Sequence, residues 1–270
     1  MKKLIVILLI VLLIATGCTQ KEEASSSAPE TFDLARWNSL RMNLPTQMVE
    51  PDLLESPVLA GETDRDAARY LSMALAFYPD YGAQARTVEE LDNQFLLLTG
   101  LFNASGTQIG QPGATDRIFQ QLNERYLDYG GGFLAKEQVE AAVWELFGQE
   151  TELTHLTLLG PDGYLYREEL GIYEYPASPP SWSLPLVLTA MTTDTEYIAD
   201  LVFLRYSGQE SNAFLDWQGQ ELPRWEVWEA VTQNLTHYDC YQVTLSLEGD
   251  RCRLSSIDRL EPGDYPDFSD

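Results

Sequence analysis

Positive charge is scarce in this sequence. Its 270 residues include 17 lysines and arginines against 42 aspartates and glutamates, which gives a formal net charge of −25, and only two histidines. A chain this acidic repels nucleic acid and anionic lipid headgroups. We therefore expect neither a nucleic-acid partner nor electrostatic attachment to a membrane. Hydrophobic residues still make up 44% of the chain, enough for a packed core.

Cysteine is also scarce, with three in the chain. Two of them, Cys240 and Cys252, lie in "YDCYQVTLSLEGDRCRLSSI", a pattern typical of a hairpin that turns at residues 249–250. That turn places Leu247 opposite Cys252 and leaves Cys240 seven residues further along its strand, on the opposite face. The two Cα atoms are then more than about 20 Å apart, whereas a disulfide needs about 6 Å. We predict two free thiols.

The apolar run at the N-terminus, Leu4–Ala15, is too short to span a membrane. Its twelve residues would cover about 18 Å as a helix, against a hydrocarbon core of about 30 Å. Lys2 and Lys3 precede the run and small residues end it at 15–17, the order of a secretory signal peptide. We assign residues 1–17 to that signal.

The segment "IATGC" at the end of the signal resembles the lipobox of bacterial lipoproteins, with Ala15 where the family most often has leucine. The resemblance implies that the Cys18 thiol receives a diacylglycerol, with acyl chains such as palmitate, and that cleavage makes Cys18 the N-terminus. The alternative is a signal peptide with a chance cysteine nearby. Two buried acyl chains, at about 0.8 kcal/mol per CH2 group, would hold the protein at the extracytoplasmic face of the cell membrane.

Cleavage would leave 253 residues with a formal charge of −27, since residues 1–17 contain two lysines and no acids. Residues 18–36 are polar and of low complexity, and we expect a flexible tether of about 20–25 Å. No element is assigned to residues 37–62. The folded body is expected to be soluble and to owe its membrane attachment to the lipid.

Region 37–150 is predicted to be helical because apolar residues recur there at helical spacing. The first two helices open with the spacing of a capping box, Thr63 with Asp66 and Thr87 with Glu90. The fourth stops at Gly148. The inward residues expected on the four helices are Ala67, Leu71, Ala74, Leu75 and Tyr78; Val88, Leu91, Phe95, Leu98 and Phe102; Ile118, Leu122, Tyr126 and Tyr129; and Val139, Val143, Leu146 and Phe147.

Region 151–270 is predicted to be rich in antiparallel strands, because the apolar period changes from 3.6 to 2. A hairpin turning at Pro161–Gly163 comes first, and "WSLPLVLTAMT" and "EYIADLVFLRYSG" follow as strands. The Trp-rich segment "LPRWEVWEAVTQNL" fits either a helix or a strand, and "EPGDYPDFSD" is an acidic tail. Helices followed by strands predict an α+β fold.

This order, with "KEQVEAAVWELFG" ahead of a meander that ends in "RCRLSSIDRL", resembles uncharacterised lipoproteins of clostridial-type Firmicutes over residues 63–260. The resemblance implies no activity.

Candidate groups for chemistry are few. Zinc would need three or four ligands from His155, His237, Cys240 and Cys252, and the sequence has no CxxC, HExxH or DxDxDG motif. We expect no metal or cofactor. A nucleophile elbow is missing, only Lys21 and Lys136 would survive cleavage, and a His237–Cys240 pair on one strand would point to opposite faces. Four acids without distinguishing context remain as candidates for a hydrolase, namely Glu168, Glu169, Glu226 and Glu229.

Aromatic and basic clusters suggest binding. Exposed rings in a row would stack on sugars or on a partner protein, but cross-strand pairs within a sheet are the commoner arrangement. Arg251, Arg253 and Arg259 on the last hairpin form either a solvated face or a dock for a carboxylate. The rings concerned are Tyr164, Tyr166, Tyr173, Tyr175, Trp182, Trp217, Trp225 and Trp228.

The sequence thus predicts a lipid-anchored extracytoplasmic protein that binds an envelope protein or carbohydrate and catalyses nothing. Two alternatives stay open: a cell-envelope hydrolase that uses paired carboxylates, and an accessory subunit of a membrane complex.

Overall fold

The computed structural model describes residues 31–44, 46, 48, 51–104, 116–127, 132–148, 151–159, 163–175, 181–207, 213–249 and 251–268. The predicted signal peptide, Cys18 and most of the tether lie outside these residues, as do Tyr129, Pro161, Asp162 and the side chains of Tyr126 and Tyr175. The chain divides into two compact units, Met1–Phe32 and Asp33–Asp270. The fold of the second unit is given below.

The second unit is an α+β fold, as predicted, with its helices mostly in the N-terminal part and its strands mostly in the C-terminal part. The helices are α1 Leu34–Arg41, α2 Glu62–Ala74, α3 Asn93–Ala104, α4 Arg117–Leu127, α5 Lys136–Phe147 and α6 Val227–Gln233. The strands are β1 Gly132–Ala135, β2 Leu165–Arg167, β3 Ile172–Tyr175, β4 Ser183–Thr192, β5 Glu196–Arg205, β6 Ala213–Leu215, β7 Glu221–Pro223, β8 Cys240–Glu248 and β9 Arg251–Arg259.

Both predicted capping boxes are wrong, although the inward stripes behind them are right. Helix α2 is capped at Gly61, two residues before the predicted cap Thr63, and there the Asp64 carboxylate accepts the Gly61 N–H at 2.9 Å. Residues Val88–Glu90 form a separate 3-10 turn, and α3 begins after Asp92, whose Oδ1 accepts the Phe95 N–H at 2.7 Å. The predicted inward residues with described side chains are buried, except Val88 and Phe102, which are half-buried against the same core.

Helix α3 was predicted to be amphipathic, but it is buried on nearly all sides. Leu96, Leu97 and Leu101 are buried together with the predicted stripe, as expected for a helix that is apolar all round. Gly100 allows this helix to approach α5 closely, because a Cβ there would lie 2.6 Å from Val143 Cγ2. Gly148 ends α5 as predicted, with a positive φ of 107°.

The main sheet has the strand order β4-β5-β8-β9, with every neighbouring pair antiparallel. One face packs in a core shared with α2, α3 and α5, through residues such as Leu201, Val243 and Leu245. The other face packs with α6 and the β6–β7 hairpin, through residues such as Leu186 and Val202. Cover on both faces explains why β4 and β5 contain apolar runs and not strict alternation.

The last hairpin is confirmed in detail. Leu247 pairs with Cys252, and Glu248 pairs with Arg251 across the two-residue turn. Cys240 lies in the core on the α6 side of the sheet, whereas Cys252 packs against the core on the other side. Both cysteines are free, as predicted. The Trp-rich segment, left open by the sequence, forms β7, a 3-10 turn at Arg224–Glu226, and α6.

A second, three-stranded sheet has the strand order β1-β3-β2. Helix α1 packs against this sheet. Helix α1 begins at Leu34, inside the predicted tether, and Asp33 caps it by accepting the Arg36 N–H at 3.0 Å. Trp37 is fully buried, and its Nε1 donates to the Leu170 carbonyl at 2.7 Å. This docking depends on residues far apart in sequence.

Among the described residues, no helix combines the length and the apolar character that crossing a membrane requires.

Candidate functional site

A cavity of about 380 Å³ opens where α3, the end of α5 and the last hairpin meet. Its volume falls within the range of small-molecule sites. Five separate stretches of chain supply its walls, and most of the wall residues are apolar. We call it the Arg253 cavity, and its lining residues are Val88, Glu89, Leu91, Leu96, Leu146, Phe147, Thr151, Glu152, Ser246, Arg253 and Leu254.

Tyr70 of α2 fixes two walls of the Arg253 cavity relative to each other. Its hydroxyl donates to the Leu146 carbonyl at 2.9 Å and accepts the Leu254 N–H at 2.9 Å. The carbonyls in the last turn of a helix have no partner within the helix, so this bond also satisfies the end of α5. Burial raises the pKa of Tyr70 above its usual value. The cavity is therefore built on a hydrogen-bonded joint between α5 and β9.

Arg253 is the cation of the cavity, and its hydrogen-bonding capacity is unused. Its Nη1 is buried without a hydrogen-bond partner among the described residues. The nearest carboxylate oxygen, Glu248 Oε2, lies 3.7 Å from Nε, and the Glu248 side chain is 64% exposed. An exposed ion pair of this kind contributes about 0.2–1 kcal/mol, whereas a buried donor without an acceptor costs about 1–3 kcal/mol.

Two acids, Glu89 and Glu152, also line the cavity, and both are exposed. A hydrogen bond from the Thr87 side chain lowers the pKa of Glu89. A general acid needs a raised pKa, so Glu89 is poorly suited to that role. The four acids proposed from the sequence, Glu168, Glu169, Glu226 and Glu229, are all exposed and none lines this cavity.

The three arginines of the last hairpin have different surroundings. Arg259 pairs with the exposed Asp239, which raises the pKa of Arg259. Arg251 is exposed and borders a separate, more open hollow of about 670 Å³ beside Cys252. The solvated-face interpretation therefore fits these two. Arg253 alone lines the Arg253 cavity, where the carboxylate-dock interpretation applies.

The two histidines that the sequence offered as possible metal ligands lie in different places. His155 Nε2 lies 2.9 Å from Glu140 Oε1, and its Nδ1 lies 2.9 Å from the Tyr173 hydroxyl. His237 stacks on Trp217 with ring centroids 4.0 Å apart. Within the described ranges, no three His, Cys, Asp or Glu side chains are grouped so that they could hold a metal ion.

The expected strand geometry of His237 and Cys240 is wrong. His237 belongs to a 3-10 turn, Leu235–His237, that precedes β8, and it is exposed. Cys240 is the first residue of β8 and is fully buried. Burial raises the pKa of the Cys240 thiol to about 12. Because the thiolate is the reactive form of cysteine, this residue is a core side chain and not a nucleophile.

One pair of the described rings has the predicted cross-strand arrangement, and several other rings pack in pairs outside the strand ladders. Tyr166 and Tyr173 pair across β2 and β3 with centroids 4.9 Å apart. Trp182 stacks on Tyr206 at 4.7 Å. Trp225, by contrast, is 79% exposed. An isolated exposed ring is normal for a protein surface and defines no binding strip.

Sequence reasoning missed the Arg253 cavity. Arginine at position 253 was visible, but its neighbours come from α3, α5 and the segment at 151–152, and only the fold brings them together. Comparisons with protein-family models, curated proteins and solved structures found no match to this chain.

Proposed function

We propose that this chain is a lipid-anchored, extracytoplasmic binding protein. The lipid is a diacylglycerol on Cys18, and residues 18–33 lead from it to α1. The observation that supports the anchor is the cysteine itself, placed directly after the small residues that close a charged and then apolar N-terminus. Diacyl attachment gives stable membrane association without basic residues, which suits a chain of formal charge −25.

The Arg253 cavity supports binding as the activity of the folded part. It combines apolar side chains with one guanidinium whose only ion pair among the described residues is with a largely exposed acid, and a few polar groups in an apolar lining are what orients a small ligand. Two titratable groups at the cavity have shifted pKa values, and neither suits acid–base catalysis near neutral pH. Burial raises the pKa of Tyr70, whose hydroxyl already bonds Leu146 and Leu254, and the Thr87 side chain lowers the pKa of Glu89. A ligand of the cell envelope would therefore be bound and not transformed.

The anchor is tested by Cys18→Ala. We expect the variant to lose metabolic labelling by radioactive palmitate and to move from the membrane fraction to the soluble fraction, because the site of acylation is gone. Cys252→Ala is the matched control, since it removes a half-buried thiol of the folded part. That control should keep both the label and the membrane fraction.

Mass spectrometry of the exported protein gives a direct check. An N-terminus at acylated Cys18 is expected. Membrane retention of Cys18→Ala, or a mature N-terminus at another residue, would contradict the anchor.

A further inference from the structure

We propose that the Arg253 cavity binds an aliphatic monocarboxylate, with the carboxylate at Arg253 and the alkyl chain along the leucines. The proposal rests on the proposed function because it names the class of ligand for the same binding site. It does not depend on the lipid anchor.

The volume of the cavity sets the size of the ligand. At the roughly 30 Å³ that a water molecule occupies in the liquid, 380 Å³ holds about a dozen non-hydrogen atoms. An unbranched acid of about six to ten carbons has this size. Sugars with several rings are too large.

The lining sets the chemistry of the ligand. Leu91, Leu96, Leu146, Phe147 and Leu254 shield a hydrocarbon chain from water along one part of the lining. The remaining polar and charged side chains are those of Glu89, Thr151, Glu152, Ser246 and Arg253. The only cation among the lining residues is Arg253. A guanidinium binds a carboxylate through two parallel N–H···O bonds.

The unused capacity of Arg253 supports the choice of an anion. Among the described residues its side chain donates no hydrogen bond, and its only ion pair is with the largely exposed Glu248. Nη1 has almost no accessible surface, but the side chain as a whole is 27% exposed, so a ligand would meet the other nitrogens of the guanidinium. A ligand carboxylate would supply the missing acceptors.

The acids at the cavity restrict the ligand further. Glu89 and Glu152 are exposed, so water and salt weaken their effect on a single negative charge held at Arg253. A second carboxylate on the ligand would add a further negative charge, and the lining residues include no second cation to pair with it. The site therefore favours a monoanion over a dicarboxylate.

The test uses the exported protein as isolated from cells in a non-ionic detergent, and isothermal titration with hexanoate and octanoate. Hexanamide is the neutral counterpart of the first probe and hexylamine the cationic one. We expect both acids to bind, and hexanamide and hexylamine to bind at least about tenfold more weakly, because only the carboxylate can pair with the guanidinium.

Arg253→Gln should weaken hexanoate binding by about tenfold or more and leave hexanamide unchanged, since it removes the charge but keeps the apolar wall. Arg253→Lys should give an intermediate affinity, because it keeps the charge without the planar fork. Arg251→Gln is the matched control: it makes the same change of charge on the same strand, outside the cavity, and should bind hexanoate normally.

Three results would overturn the proposal. They are no binding of either acid, equal affinity for hexanoate and hexanamide, and an Arg253→Gln variant that binds as tightly as the parent. The comparison of probes on the parent protein does not depend on the folding of any variant. Failure here with palmitate labelling intact would refute the ligand and leave the anchor standing.

Discussion

Buried tyrosine hydroxyls in this core differ in their hydrogen bonding. The Tyr78 hydroxyl donates to the Ala85 carbonyl at 2.5 Å, within the loop that connects α2 to α3. The Tyr197 hydroxyl, on β5, is buried and has no partner among the described residues. An unpaired buried hydroxyl costs free energy, whereas a paired one makes a modest net contribution to stability. The two residues therefore predict opposite effects of the same substitution.

Tyr197→Phe should leave the free energy of unfolding unchanged or raise it. The substitution removes a hydroxyl that gives up its hydrogen bonds to water on folding and makes none with the described residues. Tyr78→Phe should lower it by about 0.5–1.5 kcal/mol, because it leaves the Ala85 carbonyl without its donor. Urea unfolding followed by circular dichroism measures both. A loss in Tyr197→Phe as large as that in Tyr78→Phe would mean that the hydroxyl has a partner after all.

At the scale of elements, α1 is stabilised more by the packing of one side chain than by the intrinsic helix propensity of its residues. Trp37 is the only buried residue of the helix. Its ring makes edge contacts with Phe119 of α4 and Phe133 of β1, at centroid distances of 5.9 and 5.8 Å. A helix this short is marginal by itself, so tertiary packing stabilises it.

Trp37→Ala should therefore lower the free energy of unfolding by about 3–5 kcal/mol, the usual cost of truncating a buried aromatic residue. Trp225→Ala is the matched control, because Trp225 is 79% exposed. Its effect should stay within about 0.5 kcal/mol. Urea unfolding of the two variants measures the difference, and similar values for both would contradict the docking of α1.

At the scale of the whole molecule, burial raises the pKa values of several tyrosine hydroxyls and of a cysteine thiol. It raises the pKa of Tyr78 to about 12 and that of Cys240 to about 12. The other tyrosines with a strongly raised pKa lie on α2, β3 and β5, and they are Tyr70, Tyr173 and Tyr197. In the unfolded chain tyrosine ionises near pH 10 and cysteine near pH 8.5.

These shifts predict alkaline unfolding. The folded state holds its protons more tightly than the unfolded state, so the stabilisation is complete below the unfolded pKa values and is lost as the pH rises from about 9 toward 12. The free energy of unfolding should thus fall steadily over this window. Urea titrations at successive pH values measure it, and ultraviolet absorbance of tyrosinate should rise together with unfolding. A free energy that stays constant across the window would contradict the burial of these groups.

Local patterns in the sequence determined the α+β class with helices mostly before strands, the stop of α5 at Gly148, and the register of the last hairpin with its two free thiols. These features depend on neighbours within a few residues: an apolar period, a glycine with positive φ, and a two-residue turn. The true starts of α2 and α3 were missed because several polar residues near each start have cap-like spacing, and only packing selects among them.

Tertiary structure alone decided the features that depend on distant residues. The burial of α3 on nearly all sides follows from its close crossing with α5 at Gly100. The docking of α1 follows from a bond between Trp37 and Leu170. Arg253 is one of three arginines on the last hairpin, and it lines a cavity because five stretches of chain meet around it. Such contacts leave no periodic trace in the sequence, since each stretch contributes between one and four residues.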